Sequence, residues 1–515
     1  MPVAGMTLTS ILARRIAEQG GSTFLVFEGA GAHVTEFTYA EFGDHVERLA
    51  GGLAAAGIGA GDRILVQLPN CPELVATLFA AARLGAIVTP SNTANRRSEL
   101  AYMLGFTGAR LILAVGEFQP VVEDALAEAG VDAEVVLCRA DGGSATAARV
   151  YESFLEHPAD AALPDASPTD ALEIMFSSGT TSLPKGVVVT HTNLLTSGRR
   201  QAMSYRTDAG DRFLTVLPLF HASAQSTTLF AALAAGGTAI FLERYSASRF
   251  WGQVRAHRTT RVTLVAMLLR TLVAQPPSGT DRDHVLRSAG YATNLTEAAQ
   301  AAFEERFAVR LTNAYGLTEA FTEVTIGPFD GPRRWPSVGL PTMDRAVRIV
   351  AEDGAEVPAG ELGEIQIRGI PGETIMKEYY RDPESTAGAF QDGWLRTHDV
   401  GWLDEDGYLY FSDRDLDLIK CAGENVSATE VEAVLIEHPA ISAAAVIGVP
   451  DPVRDEAIKA FVVPQPGAPL TAEDVREFCG ARMARFKVPS IVEICASLPA
   501  NAVGKVEKKK LRERT

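Results

Sequence analysis

Ten consecutive residues, Ser177-Ser178-Gly179-Thr180-Thr181-Ser182-Leu183-Pro184-Lys185-Gly186, concentrate hydroxyls, two glycines and an ammonium. Glycine lets backbone N–H groups converge on one point, and the hydroxyls and the ammonium add donors around it. Such a loop suits a polyphosphate. The alternative is a polar hairpin turn, because Gly, Ser and Pro populate turns for local reasons. A Walker A loop is excluded, since its Gly-x-x-x-x-Gly-Lys-Ser/Thr spacing opens a helix. Here Ile174-Met175-Phe176 leads in and Val187-Val188-Val189 leads out, and both flanks read as strands.

The surrounding elements alternate. Glu41 to Ala56 and Pro72 to Leu84 read as helices; Arg63 to Leu68, Ala86 to Pro90, Arg110 to Ala114 and Glu134 to Cys138 read as strands. That order predicts parallel sheets covered by helices. Ala140 to Ala147 and Pro158 to Pro168 are small, polar or proline-rich, and read as surface loops. The composition changes near residue 400. The strand Tyr408 to Phe411 precedes a dense charged stretch, Asp413 to Asp417. A helix then covers Ser427 to Glu437, capped by Ser427 or Thr429 with Glu430 to follow. Strands at Ile441 to Val449 and Ile458 to Val463 and a helix at Ala472 to Met483 complete a unit the size of a small α+β domain. The basic tail, Lys505 to Arg514, reads as a solvated helix face.

A chain of 515 residues is too long for one core and predicts two to four domains. Its net charge of -17 argues against nucleic-acid or anionic-membrane partners, while leaving room for a local cationic site. The five cysteines form no Cys-x-x-Cys pair, which fits a reducing compartment and no structural zinc. Met1 to Thr38 shows no signal sequence, no apolar run reaches the ~20 residues of a membrane span, and no lipidation motif stands at either end. A cytoplasmic location is expected.

Further motifs follow the loop in a fixed order: Tyr315-Gly316-Leu317-Thr318-Glu319, Gly360-Glu361-Leu362-Gly363-Glu364 opening a β meander, Trp394 to Asp399, Asp413-Arg414, Gly423-Glu424-Asn425 and Gly504-Lys505. Together they cover nearly the whole chain. The sequence resembles the adenylate-forming superfamily of acyl-CoA synthetases, firefly luciferase and peptide-synthetase adenylation domains. Within it the chain is most similar to crotonobetaine/carnitine–CoA ligases, through Ser246 to Val254, Arg333-Arg334-Trp335-Pro336-Ser337 and Arg454 to Phe461.

The resemblance implies an α/β fold. A large N-terminal domain of layered sheets and helices would span 1–413, a hinge 414–416 and a small mobile α+β C-terminal domain 417–515. It implies a two-step reaction in which a carboxylate and ATP give acyl-AMP and pyrophosphate, and CoA then displaces AMP. Ser177, Ser178, Gly179, Thr180, Thr181 and Lys185 would hold the phosphates. Thr318 would contact the α-phosphate and Glu319 would help hold Mg²⁺. Asn313, Ala314 and Tyr315 would flank adenine, Asp399 would accept from the ribose hydroxyls, and Arg414 would assist. Lys505 would reach the carboxylate and α-phosphate during adenylation. His221 would wall or gate the acyl site beside Ser223, Ala224, Met267 and the stretch Gly290 to Asn294. After rotation about Leu416, Lys420, Ala422, Gly423 and Glu424 would line the CoA tunnel.

Four positions depart from the family pattern. Ser182, His398 and Ala422 stand where relatives have glycine, and Leu416 where they have Asp or Lys. A side chain at a loop glycine can obstruct approach to phosphate, and an imidazole beside Asp399 can pair with it or crowd a ribose. Three readings follow. The first is a complete acyl-CoA ligase. The second performs the thioester half alone, taking acyl-AMP from an upstream adenylating partner. The third is a silent nucleotide- or acyl-binding scaffold, opposed by Thr318, Glu319, Asp399, Arg414 and Lys505. A homodimer is common among relatives.

Overall fold

The computed structural model describes residues 5–139, 149–158, 166–177, 183–292, 295–414, 418–465, 467–499, 506 and 508–514. Two large sheets dominate. In one, eight strands run in the order 378–379, 185–190, 171–177, 87–90, 63–67, 111–115, 134–138 and 149–150. In the other, nine strands run from 340–341 through 322–326, 310–317, 288–292, 261–265, 212–215, 238–242 and 23–28 to 34–38. The central pairs are parallel, and three of the four edges are antiparallel, the strand 149–150 being the parallel one, as expected for sheets wrapped by helices.

Local chemistry sets the elements. The helix Pro72–Leu84 begins on proline and ends at Gly85, whose φ is +69°. Proline lacks only a donor that the first turn cannot use, and glycine takes the left-handed cap without a Cβ penalty. The helix Tyr39–Ala55 starts in a capping box between Thr38 and Glu41. The expected strands at 63–68, 86–90, 110–114 and 134–138 all form, within a residue of the sequence reading. The expected loops fall largely on 140–148 and 159–165, outside the described residues.

The segment after His221 is one irregular helix. Ala222–Ala224 is α, Gln225–Phe230 is π and Ala231–Ala235 is α again. A π segment inside an α-helix costs regular hydrogen bonds and often accompanies a functional site. It packs against the helix His191–Ser204. At the crossing, a Cβ on Gly198 would lie 2.2 Å from the Phe230 carbonyl oxygen.

A third, antiparallel sheet holds 346–350, 363–368, 394–403 and 390–391, with 409–414 added on the 394–403 strand. This is the expected meander. The smaller C-terminal domain has its own sheet, with 418–421, 424–427, 441–451, 455–464 and 491–494. Its core includes Ile419, Val431, Leu435, Val446, Ile458 and Val475. Ser427, not Thr429, caps its first helix, accepting from the Glu430 N–H. The basic tail is less solvated than its charge suggests: Leu511 is fully buried against Ala445, Ile447 and Phe461. All five cysteines are free. Among the described residues no helix is long and apolar enough to cross a membrane.

Gly198→Ala should cost about 1–3 kcal/mol, because the clash is with backbone that cannot rotate away. A thermal midpoint equal to that of the unaltered chain would show that the crossing is looser than this.

Candidate active site

The strands Ala171–Ser177 and Lys185–Thr190 form an antiparallel pair, with Ser177 opposite Lys185. The glycine- and hydroxyl-rich segment is therefore the connection between two strands, as its flanks predict. Ser178, Gly179, Thr180, Thr181 and Ser182 lie outside the described residues. The exit from this segment is pinned twice. The Tyr102 hydroxyl donates to the Pro184 carbonyl at 2.8 Å, and the Tyr380 N–H donates to the Gly186 carbonyl at 2.7 Å. A Cβ on Gly186 would meet Ile174 Cγ2 at 2.8 Å, so only glycine fits there. The Lys185 ammonium sits 4.8 Å from the centre of the Tyr379 ring, within range of a cation–π attraction.

The same Tyr379 reaches a second candidate. Its hydroxyl donates to Glu319 Oε1 at 3.0 Å. Glu319 lies in the tight turn Thr318–Ala320, which ends in two non-glycine residues with positive φ, Phe321 at +40° and Thr322 at +80°. Three bonds hold this turn. The Met376 N–H donates to the Glu319 carbonyl at 2.7 Å, the Arg345 guanidinium donates to the Ala320 carbonyl, and the Thr322 hydroxyl pairs with Ser226 at 2.9 Å. Tyr379 was not singled out by the sequence. Its strand is only two residues long, and the one signal was an aromatic pair, Tyr379-Tyr380.

Asp399 is buried in the strand Trp394–Leu403, and its Oδ2 accepts from the Tyr315 hydroxyl at 2.6 Å. Tyr315 lies in the strand Arg310–Leu317 and packs near Phe411. Asn313 turns its Oδ1 to the Ala314 N–H at 3.0 Å. The Arg414 backbone pairs with Asp399 across the sheet. His398 has φ +58°, the conformation for which glycine is the easy choice. Its N–H donates to Glu364 Oε1 at 3.1 Å and its Nδ1 lies 3.3 Å from the same oxygen. The imidazole is thus engaged by Glu364, which also binds Arg396.

The acyl candidates separate. His221, Ser223 and Met267 are half-buried. Gly290 is buried, and a Cβ there would fall 2.6 Å from the Tyr205 hydroxyl. Ala224 is fully buried in the main core, where it supports the wall rather than forming its surface. Residues 293–294 lie outside the described residues, as do Leu416 and Lys505.

The C-terminal domain is docked over this region. Glu424 brings both carboxylate oxygens to 3.1 Å from His221 Nε2. Gly423, at φ +88°, lies against Val265, and Ala422 also has positive φ, +56°. Lys420 places its ammonium 4.2 Å from the Phe411 ring. Farther out, Arg270 donates to Asp455 at 2.6 Å and Lys487 bridges Glu99 and Glu430 at 2.5 and 2.6 Å. Burial works against a charged His221, but the Glu424 carboxylate, by charge and hydrogen bond, holds its pKa above the usual 6.5. Burial likewise works against a charged Glu424, and His221 together with Lys487 holds its pKa below 4.5. The sign follows: the pair's contribution to docking is full below about pH 6.5 on the histidine side and is lost as pH rises through the raised value. On the glutamate side it is full above 4.5 and lost as pH falls through the lowered value.

Glu424→Gln should therefore bring the His221 pKa down, to or below the ordinary imidazole value, because burial then acts alone. An NMR titration of the ring that shows no movement would mean that the two groups are apart in solution.

The chain matches the AMP-binding enzyme family over residues 12–380 and the AMP-binding enzyme C-terminal domain over 430–505. It is 42% identical to a crotonobetaine/carnitine–CoA ligase of Citrobacter koseri, over 99% of each chain. Among solved structures it is similar to an o-succinylbenzoate CoA synthetase double mutant of Bacillus subtilis bound to a product analogue, with TM-score 0.85, 26% identity and 98% of each chain covered. It is also similar to an amide bond synthetase of Marinactinospora thermotolerans, with TM-score 0.85, 29% identity and 99% of each chain covered. The chain belongs to the AMP-binding enzyme family and, within it, to the acyl-CoA ligases.

Proposed function

We propose that the site joins a carboxylic acid to CoA in two steps, with the residues above in named roles. A carboxylate oxygen attacks the α-phosphorus of ATP and pyrophosphate leaves. The CoA sulfur then attacks the acyl carbon and AMP leaves. The first step needs neutralisation of phosphate charge and correct placement more than covalent help. The observation that carries the reading is the meeting at Tyr379. There the lysine of the phosphate loop and the carboxylate of Glu319 approach opposite parts of one side chain.

In this reading the loop from Ser177 to Lys185 holds the β- and γ-phosphates, Thr318 the α-phosphate, and Asp399 with Arg414 the ribose. Lys505 serves adenylation. Glu319 is half-buried and offers hard oxygen donors, which suit Mg²⁺. Among the described residues no cluster of three or more His, Cys, Asp or Glu gathers to cage a metal, and Glu319 is the side chain that would hold such an ion. When bound, it supplies charge neutralisation there. In this reading the hinge is 414–416, starting at the last residue of the strand Leu409–Arg414, with 415–416 outside the described residues. The docked Gly423-Glu424 loop against His221 and Val265 supports its role in the thiol step. Use of ATP and CoA accords with a cytoplasmic location. Crotonobetaine and carnitine, named for the relatives, are the first acids to try.

The deciding assay is acyl-CoA formation by mass spectrometry. A panel of acids is tested with ATP, Mg²⁺ and CoA, beside the matching acyl-adenylates with CoA alone. Thioester in both arms is expected. Thioester from the adenylates alone would mean that only the second half remains. Lys505→Ala should suppress the first arm by at least about tenfold more than the second, since one ordered ionic contact carries about 1.5–3 kcal/mol; equal loss in both would remove that role. Because Glu364 engages the imidazole, His398→Gly should leave the ATP-dependent rate within about twofold. A large rise would show that His398 obstructs the nucleotide.

A further inference from the structure

Behind the site lies a carboxyl that neither step uses. Glu173 is 1% exposed, in the strand Ala171–Ser177 that leads into the phosphate loop. Its Oε1 accepts from Gln225 Nε2 at 2.9 Å, while its Oε2 is sealed from solvent and has no hydrogen-bond partner among the described residues. Gln225 is fully buried at the start of the π segment. Its Nε2 also donates to the Leu219 carbonyl at 2.9 Å, and the Leu219 N–H donates to Asn70 Oδ1 at 2.8 Å. Four residues beyond Glu173 stands Ser177, and two beyond Leu219 stands His221. One amide therefore ties the strand feeding the phosphate loop to the segment carrying the acyl wall.

A carboxylate with one oxygen unpaired in an apolar interior is costly, whereas a carboxylic acid is much less so. We propose that Glu173 is a positioning residue, a neutral acid clamped to Gln225, that sets the phosphate loop against the His221 segment. The proposal rests on the adenylation reading only in its activity arm. Burial pushes Glu173 up to about 8, with the Gln225 bond opposing. The elements packed on this strand carry Lys185, Glu319, Glu73 and Arg83 as their titratable groups, and the helix holding Gln225 carries none. Among the described residues Glu173 makes no ion pair with any of them. Above about pH 8 the clamp thus gains a buried charge with no cation beside it.

The folded value lies above the free value of 4.5. The native state then binds the proton more tightly, and the contribution to stability falls as pH rises from about 4.5 to about 8 and is flat beyond. The test is thermal unfolding of the full chain from pH 5 to 9.5, with ATP–pyrophosphate exchange over the same range, for the unaltered chain, Glu173→Gln and Gln225→Met. Glu173→Gln should gain several degrees over the unaltered chain between pH 5 and 9, and its exchange rate should lose the alkaline fall. Gln225→Met removes the bond that holds the value down, so the alkaline fall should move to higher pH. Parallel pH profiles for the unaltered chain and Glu173→Gln in unfolding would overturn the neutral clamp. A normal alkaline limb in Glu173→Gln, despite the stability gain, would overturn its link to the site. Should no acid support exchange, the adenylation reading fails, and the unfolding curves still decide the protonation of Glu173.

Discussion

The turn from Thr318 to Thr322 is the constraint on which the site depends. Two successive non-glycine residues, Phe321 and Thr322, occupy left-handed backbone, each at a cost of about 1–3 kcal/mol. The reason is visible at Gly316, where a Cβ would lie 2.5 Å from the Thr322 carbonyl oxygen. The chain must double back that tightly to place Thr318 and Glu319 at the end of the strand. Arg345, Met376 and Ser226 hold it from three directions. Each belongs to a different part of the fold: the lead into the antiparallel sheet, the approach to the edge of the eight-stranded sheet, and the π segment behind the acyl wall. All three parts belong to the one large hydrophobic core, which includes Ile349, Met376 and Phe230, so the turn is held against a single packed body.

Much of this was legible because punctuation and pattern agreed. Pro72 and Gly85 bracket a helix from both ends, and Thr38 with Glu41 marks another start. The glycine- and hydroxyl-rich segment stood out by composition, and the apolar runs on either side form the strands that flank it. Tyr379 and Glu173 did not show. A two-residue edge strand has no period to read, and a single Glu in Ala171–Ser177 looks like the solvent side of a strand until the Gln225 helix is seen to cover it. The docking of Glu424 on His221 spans 203 positions of sequence and depends on how two domains meet, which no local pattern encodes.

Two of the departures from the expected glycines share one geometry, the third, Ser182, lying outside the described residues. His398 and Ala422 both occupy left-handed backbone, at φ +58° and +56°. That is where glycine relieves a penalty of roughly 1–2 kcal/mol for an L residue. At His398 the two interactions with Glu364 offset part of the penalty. At Ala422 the N–H bond to the Arg454 carbonyl, 2.9 Å, does the same, and the adjoining Gly423 keeps the steeper position at +88° where a side chain would press on Val265. Positive φ at these sites is thus a property of the fold rather than of glycine.

One site that must serve a polyanion and then a thiol faces opposed electrostatic needs, in a chain of net charge -17. Phosphate requires cations close by, and burying a lone carboxylate among them weakens the field. Glu424 meets this by being paired: its charge is matched by His221 at 3.1 Å and by Lys487 farther off. Glu173 meets it in another way, by holding a proton in place of a counter-ion. In the proposed reading the cationic end of the site is left to Lys185, whose nearest described partner is the Tyr379 ring. A lysine held by an ion pair must break it to bind phosphate. One held by a ring has no close ion pair to break, and Lys185 makes none among the described residues, the Asp382 carboxylate acting on it only through space.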